Sequence, residues 1–387
     1  MSTRRDFLKT MSLASAGMML GGGQWINAMT PGSSPEQKRA SADKVKIAFI
    51  GIGNRGAQII GDFERTQQID VVALCDVDLD GRQCQEVLAK FPKAKRFRDF
   101  RKMFDEAGNE FEAVAIATPD HSHFPISMLA LAEGKHVFVE KPLARTFYEA
   151  ELLMNAAKKR PNQVTQVGNQ GHSEANYFQF KAWTEAGIIK DVTAITAHMN
   201  NARRWHGWDA NIIKFPAGQQ LPKDMDWDTW LGVNPYHDYN KDYHQGQWRC
   251  WYDFGMGALG DWGAHILDTA HEFLELGLPY EVSMLYANGH NDYFFPYSST
   301  ILFRFPQRKG MPPVDVTWYD GLDNLPPIPE GYGVQGLDPN IPTTNQTNQP
   351  QAKLNPGKII YSKDLTFKGG SHGSTLEIIP KEKAIEM

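Results

Sequence analysis

Cysteine is scarce: Cys75, Cys84 and Cys250 are the three in 387 residues, and no two stand at CxxC spacing. A disulfide scaffold and a thiolate zinc or redox centre are thereby excluded, leaving the cysteines to act as small buried apolar side chains. Positive charge is not in excess either, with 40 Lys and Arg against 45 Asp and Glu for a formal −5. The chain therefore offers no overall basic field, and nucleic acid is not an expected partner. The apolar run near the amino terminus, Met11 to Leu20, is far short of the ~20 residues that span a bilayer as a helix, so no stable membrane anchor is expected. What is present is core material: 41% hydrophobic and 11% aromatic residues against 22% charged describe a globular chain, long enough for more than one domain.

The first stretch reads as an address. Thr3-Arg4-Arg5 followed by Phe7-Leu8-Lys9, the apolar run and Gly21-Gly22-Gly23 resembles a twin-arginine signal, the type that exports proteins already folded around a cofactor. Residues 1–30 are assigned to that signal peptide, and 31–44, rich in Ser, Pro, Gln and Lys, to a linker. The expected location is periplasmic or otherwise outside the cytoplasm.

Strand and helix then alternate. Val45 to Ile50 reads as a strand, and Gly51-Ile52-Gly53-Asn54-Arg55-Gly56 follows it and opens a helical stretch to Arg65. A second strand, Val71 to Cys75, ends at Asp76, twenty residues beyond Gly56. In this context GxGxxG is a dinucleotide fingerprint: Gly51 for the turn, Gly53 for close approach to a pyrophosphate, Gly56 for helix packing, with Asn54 and Arg55 in the same turn. Asp76 would accept hydrogen bonds from ribose hydroxyls and repel a 2′-phosphate, so NAD is favoured over NADP. Asp80 to Phe91 reads as helix, Phe111 to Thr118 as strand, Ile126 to Glu133 as helix and Lys135 to Val139 as strand. Ligands of such sheets bind at strand carboxyl ends, which selects Thr118, Pro119, His123, Glu140 and Lys141 as cofactor-side residues and leaves His121 undecided. Gly168 to His172, following the strand Val164 to Val167, adds Gln170 on the cofactor side and His172 on the substrate side.

The order and spacing of the GxGxxG turn, Thr118-Pro119 with His123, Glu140-Lys141-Pro142, and Gly260 to Asp268 with Asp261 and His265 resemble one family: the glucose-fructose oxidoreductase, inositol dehydrogenase and rhizopine catabolism family, Gfo/Idh/MocA. The resemblance covers roughly residues 45 to 320. It implies an α/β Rossmann domain (45–168) followed by an α+β domain (169–387) with a large open antiparallel sheet, substrate lying between them. Lys141, Asp261 and His265 are implied as catalytic or substrate-orienting groups, and the open sheet face implies a homo-oligomer. Exported relatives continue into a further helical stretch, so a short variant and a chain truncated at its carboxyl end both remain open.

The chemistry can also be read from the residues alone. Oxidising a secondary alcohol needs a hydride acceptor and a group that takes the hydroxyl proton, work suited to Lys141 or His265. Asp261, His265 and Asp268 stand at i, i+4 and i+7, one face of a helix. His121 with His123, or Asp261 with His265, supplies two metal ligands where a catalytic zinc takes three, so no metal is expected. Eight of ten tryptophans lie between Trp183 and Trp262, interleaved with polar groups, which suits a polyhydroxylated ligand and selects Arg204, Trp205 and Trp251 as substrate residues. The reading is an exported NAD-dependent oxidoreductase acting on a sugar or glycoside. The alternative is NAD-dependent glycoside cleavage by transient oxidation, elimination and re-reduction, and a third is a non-catalytic sugar-binding protein. Glu281 to Asn288, Ser298 to Phe305, Val314 to Tyr319, Gly357 to Ser362 and Ser374 to Pro380 read as strands, and 320–356 as a long loop.

Overall fold

The computed structural model describes residues 44–199, 214–244, 247–289, 291–308, 310–332 and 354–385. The stretch read as a signal, the stretch read as a linker apart from Lys44, Arg204, Trp205 and most of residues 320–356 lie outside the described residues. The chain divides into two compact units, one built from the residues up to Gly168 together with Ala217–Lys241, the other from Asn169–Pro216 and Asp242 onward.

In the first unit, β1 (Val45–Ile50), β2 (Ile69–Cys75), β3 (Lys95–Phe97), β4 (Ala113–Ile116), β5 (His136–Glu140) and β6 (Thr165–Gly168) form a parallel sheet in the order β3-β2-β1-β4-β5-β6. Strands covered on both faces need apolar residues at nearly every position, and β1 accordingly buries all but Lys46. Its side chains alternate between two cores. Val45, Ile47 and Phe49 join Ile59, Ile60 and Phe63 of α1 (Arg55–Arg65), while Ala48 and Ile50 join the opposite layer. That second layer holds α3 (Phe100–Ala107), α4 (Asp120–Ala132) and α5 (Phe147–Lys158); α2 (Gln85–Lys90) packs on the α1 side. Helix α5 starts at a reciprocal capping box between Thr146 and Glu149.

The second unit opens with α6 (Ala175–Glu185) and β7 (Val192–Met199). Helix α7 (Trp227–Leu231) follows in sequence but belongs to the first unit. Then come a π-helical turn (Leu259–Gly263), α8 (Ala264–Ile266) and α9 (Asp268–Phe273). Strands β8 (Glu281–Asn288), β9 (Ser298–Phe305), β10 (Val314–Asp320), β11 (Gly357–Ser362), β12 (Thr366–Gly370) and β13 (Glu377–Ile379) join β7 in the order β13-β12-β11-β7-β10-β9-β8. The chain ends in the short helix α10 (Lys381–Ile385). The expected antiparallel sheet is in fact mixed: β7 and β10 pair in parallel, the remaining neighbours antiparallel. The helices between β7 and β10 provide the crossover that a parallel pair needs. One face of the sheet is covered by α6 and α9 through Phe180, Ala270 and Leu274, and Trp262 and Ile266 pack against Ala197 and Trp318.

Three local readings change. Residues 217–241, read as part of the second domain, fold with the first because their backbone bonds to it, as in the Asp226 N–H to Val77 carbonyl contact of 2.9 Å. The helix read from Ile126 already begins at Asp120, so His121 and His123 stand in the first turn of α4. Asp261, His265 and Asp268 do not share one regular helix, since the π turn and the break before Asp268 shift their relative directions.

Candidate functional site

The strand order reverses between β1 and β4, and the crevice at such a switch point is where nucleotides bind. Gly51, directly after β1, has φ +79°, and a Cβ there would stand 2.7 Å from the Ala117 carbonyl carbon and 2.8 Å from the Thr118 nitrogen. A Cβ on Gly56 would meet the Gly51 carbonyl oxygen at 1.9 Å, so α1 begins in direct contact with the turn. Only glycine fits at either position. Asn54 (φ 44°) precedes α1 without capping it, which leaves the positive end of the helix dipole uncovered by that side chain. Gly53 faces the Gln83 side chain, whose Nε2–H₂ donates to Asp78 Oδ2 at 2.9 Å.

Asp76 holds the turn as well as facing it. Its Oδ2 accepts the Ile52 N–H at 2.9 Å and its Oδ1 the Asp78 N–H at 3.0 Å, and the Cys84 thiol bonds to the same carboxylate, whose remaining lone pair is left for a ribose hydroxyl. Its charge adds to burial in pushing the Cys84 thiol up, so that thiol is inert at neutral pH. On the other side of the switch point, the Thr118 hydroxyl is buried and finds no hydrogen-bond partner among the described residues. An orphaned donor beside a turn that admits no side chain fits a bound nucleotide.

Arg55 and Glu140 were both read as cofactor residues, and the fold joins them. The Arg55 Nε donates to Glu140 Oε1 at 3.0 Å and its terminal nitrogen stands 2.9 Å from the same oxygen. The Lys141 N–H donates to Glu140 Oε2 at 3.2 Å and to the Gly168 carbonyl at 3.2 Å, which fixes the backbone from which Lys141 projects beyond β5. His123, read as a cofactor-side residue, acts as a brace: it is buried, with Nδ1 2.6 Å from the Pro142 carbonyl and Nε2 2.8 Å from the Thr118 carbonyl. It ties the loop after β4 to the loop after β5. Pro119 sits between them as the residue before α4.

The second unit carries the other candidates. Asp261 is almost completely buried, and Arg249 Nε lies 3.5 Å from its Oδ1. A buried carboxylate needs such a partner to stay ionised. His265, one turn on, is buried with its ring 4.9 Å from that of His372, which is itself 5.5 Å from Trp262. His172 Nδ1–H donates to Asp268 Oδ2 at 2.8 Å, and this bond, with Glu272 nearby, raises the imidazole pKa. The Asn169 side chain donates to the Ala264 carbonyl at 2.8 Å, pinning the loop that also carries Gln170 to α8. Trp251, expected to face substrate, is a core residue instead: 2% exposed, its ring 4.0 Å from Phe294 and 5.5 Å from Phe215, with Nε1–H bonded to the Asp242 carbonyl.

Sequence reasoning missed Arg249, His372 and Lys358. Lys358 is buried in β11 and burial pulls its amine down to about 8, against the opposing charge of Asp268. A histidine set among glycines, Gly369-Gly370-Ser371-His372-Gly373, was a legible signal, and a lysine in an apolar strand another. Among the described residues no group of three or more His, Cys, Asp or Glu is placed to hold a metal ion, and no helix is long and apolar enough to cross a membrane.

With this geometry in hand, comparison with known proteins is specific. Residues 45–168 match the Gfo/Idh/MocA model described as an oxidoreductase family, NAD-binding Rossmann fold, and 184–299 match the C-terminal alpha/beta domain of the same oxidoreductase family. A glycosyl hydrolase family 109 protein of Shewanella pealeana is 28% identical over 185 residues, 43% of this chain and 39% of that protein. An inositol 2-dehydrogenase/D-chiro-inositol 3-dehydrogenase of Lactiplantibacillus plantarum is 28% identical over 200 residues, 51% of this chain and 55% of that one. The matches thus span about half of the curated relatives or less. Among solved structures, the WlbA dehydrogenase of Bordetella pertussis, in complex with NADH and UDP-GlcNAcA, has a TM-score of 0.55 at 16% identity over 84% of this chain and 77% of that one. GenD2 from gentamicin A biosynthesis, in complex with NAD, has a TM-score of 0.52 at 15% identity over 90% and 76%. These two show the shared fold.

Proposed function

The chain belongs to the Gfo/Idh/MocA oxidoreductase family, with an NAD-binding Rossmann domain, and from that premise we propose that it is an exported enzyme acting on a secondary hydroxyl of a sugar or glycoside. The observation that carries the proposal is the place of Lys141, one residue beyond β5 in a sheet whose strand ends carry the nucleotide turn. NAD, when bound, supplies the hydride acceptor. Lys141 takes the proton of the reacting hydroxyl, and His265 serves as the second proton-handling group. Asp261, held by Arg249, orients His265 or a substrate hydroxyl, with His172 on Asp268 as a further hydroxyl-binding group. The twin-arginine-like start supports export, and fractionation that finds the protein in the cytoplasm overturns that part.

The second reading is favoured by relatives named as glycosyl hydrolase family 109 proteins. A ketone formed next to C2 acidifies the C2 proton; a base removes it, the C1 substituent leaves with its bonding electrons, water adds, and re-reduction restores the alcohol. Cleavage then proceeds with no net redox change. Purified protein supplied with a glycoside panel distinguishes the routes: net oxidation accumulates NADH or a second reduced sugar, whereas cleavage in heavy water places deuterium at C2 without NADH. Lys141→Ala is expected to abolish turnover while NAD stays bound, and full activity in that variant refutes the assignment.

A further inference from the structure

Residues 217–241 lie along the carboxyl edge of the parallel sheet, and their attachments follow the spatial order of the strands. The Asp224 carbonyl accepts from Arg98 Nε at 2.6 Å, just past β3. The Asp226 N–H donates to the Val77 carbonyl at 2.9 Å, two residues past β2. The Trp230 carbonyl accepts from His121 Nε2 at 2.5 Å, past β4, and the Asn234 side chain accepts from Arg145 at 2.9 Å, past β5. Passing from 224 to 234 therefore passes from β3 through β2 to β4 and β5, with the sheet order β3-β2-β1-β4-β5. The β1 end, where Gly51 to Gly56 turn, falls between the second and third attachments.

The short helix α7 fills that interval. Asp226 caps it, its Oδ1 accepting the Thr229 N–H at 3.0 Å, and the Trp227 and Trp230 rings stack at 4.5 Å. The Thr229 hydroxyl accepts from Arg101 on α3 at 3.3 Å, so the segment fastens on the layer of α3 to α5. The glycine turn and α1 belong to the opposite layer. A nucleotide at the switch point has α1 on one side and this segment on the other.

We propose that residues 217–241 are a strap forming the second wall of the NAD site, and that it slows NAD release so that the cofactor stays with the protein between turnovers. This deepens the proposed function and rests on its reading of an exported, NAD-dependent enzyme. A compartment with no nicotinamide pool requires such retention.

The test loads the full-length protein with labelled NAD and chases with unlabelled NAD. Asp226→Ala, which removes the cap, and Asn234→Ala, which frees the far attachment, are each expected to raise the NAD dissociation rate by about tenfold. Asp226→Asn, which keeps a capping oxygen, is expected to restore slow release. In wild-type protein, NAD is also expected to slow tryptic cleavage after Lys223, a reading that needs no variant to fold. Wild-type rates in both alanine variants, or cleavage after Lys223 indifferent to NAD, overturn the strap. Rapid release from the wild type likewise overturns the strap, whereas wild-type protein that takes up no NAD at all overturns the proposed function, so the two failures are distinguishable.

Discussion

Arg55→Ala removes the partner of a carboxylate that has little access to water, and the cost can be worked from the pair's geometry. The Glu140 side chain is 6% exposed and the Arg55 side chain 32%, with two guanidinium nitrogens within 3.0 Å of one oxygen. Breaking a buried pair by deleting one partner costs about 3–5 kcal/mol, and the third of Arg55 that faces solvent reduces this to about 2–3 kcal/mol. Glu140→Gln leaves the arginine able to turn to water and keeps an acceptor oxygen, so it costs about 1 kcal/mol. The two substitutions are therefore asymmetric, and in Arg55→Ala/Glu140→Gln the neutral amide recovers part of the loss. Urea unfolding followed by far-ultraviolet circular dichroism, at a fixed saturating NAD concentration, reads this as a midpoint lowered by about 1 M in Arg55→Ala. Because the Lys141 N–H also rests on Glu140, turnover should fall in Arg55→Ala beyond the loss of folded protein. Equal costs for the two single variants, or a double variant no more stable than Arg55→Ala, refute the reasoning.

His198 is 1% exposed and burial lowers its pKa to about 4 from 6.5. The unfolded chain therefore binds a proton that the folded chain refuses between those values, and stability falls as pH drops through that window by about 3 kcal/mol; His198→Leu should flatten the slope of urea midpoint against pH. Asp76→Ser should weaken NAD by roughly ten- to a hundredfold and narrow the preference over NADP, as calorimetric titration of both nucleotides would show; undiminished exclusion of NADP counts against the ribose role. Strand β8 ends the mixed sheet with Val282, Met284, Leu285 and Tyr286 exposed, Met284 at 55%, and a second copy is the proposed cover. Light scattering should show Met284→Lys with Leu285→Lys shifting the protein toward monomer, and an unchanged mass refutes β8 as the interface.

The nucleotide half was legible because its signals are local. A β-branched run, glycines where a Cβ has no room, and an acidic residue at the next strand end lie within 32 residues from Val45 to Asp76. The strands Glu281–Asn288 and Ser298–Phe305 were read from apolar alternation with the bounds they have, and Gly357–Ser362, a strand buried through its first four residues, was likewise read with its own bounds. The helix read from Ile126 starts six residues earlier, at Asp120, with Pro119 before it and Pro125 inside it, residues that ordinarily interrupt a helical pattern. Trp251 was misread because composition cannot tell a ring stacked on sugar from one packed on Phe294.

By itself the sequence determined the turn and the cofactor class, and it named the candidate groups for moving a proton. Tertiary structure decided which of them meet: Arg55 with Glu140 across 85 residues, His172 with Asp268 across 96, and the return of 217–241 to the first unit. The physical reason is that backbone conformation and side-chain chemistry depend on neighbours a few residues away. Pairing of charges, burial of rings and strand adjacency depend on which distant segments the chain brings together, and no single residue encodes its partner.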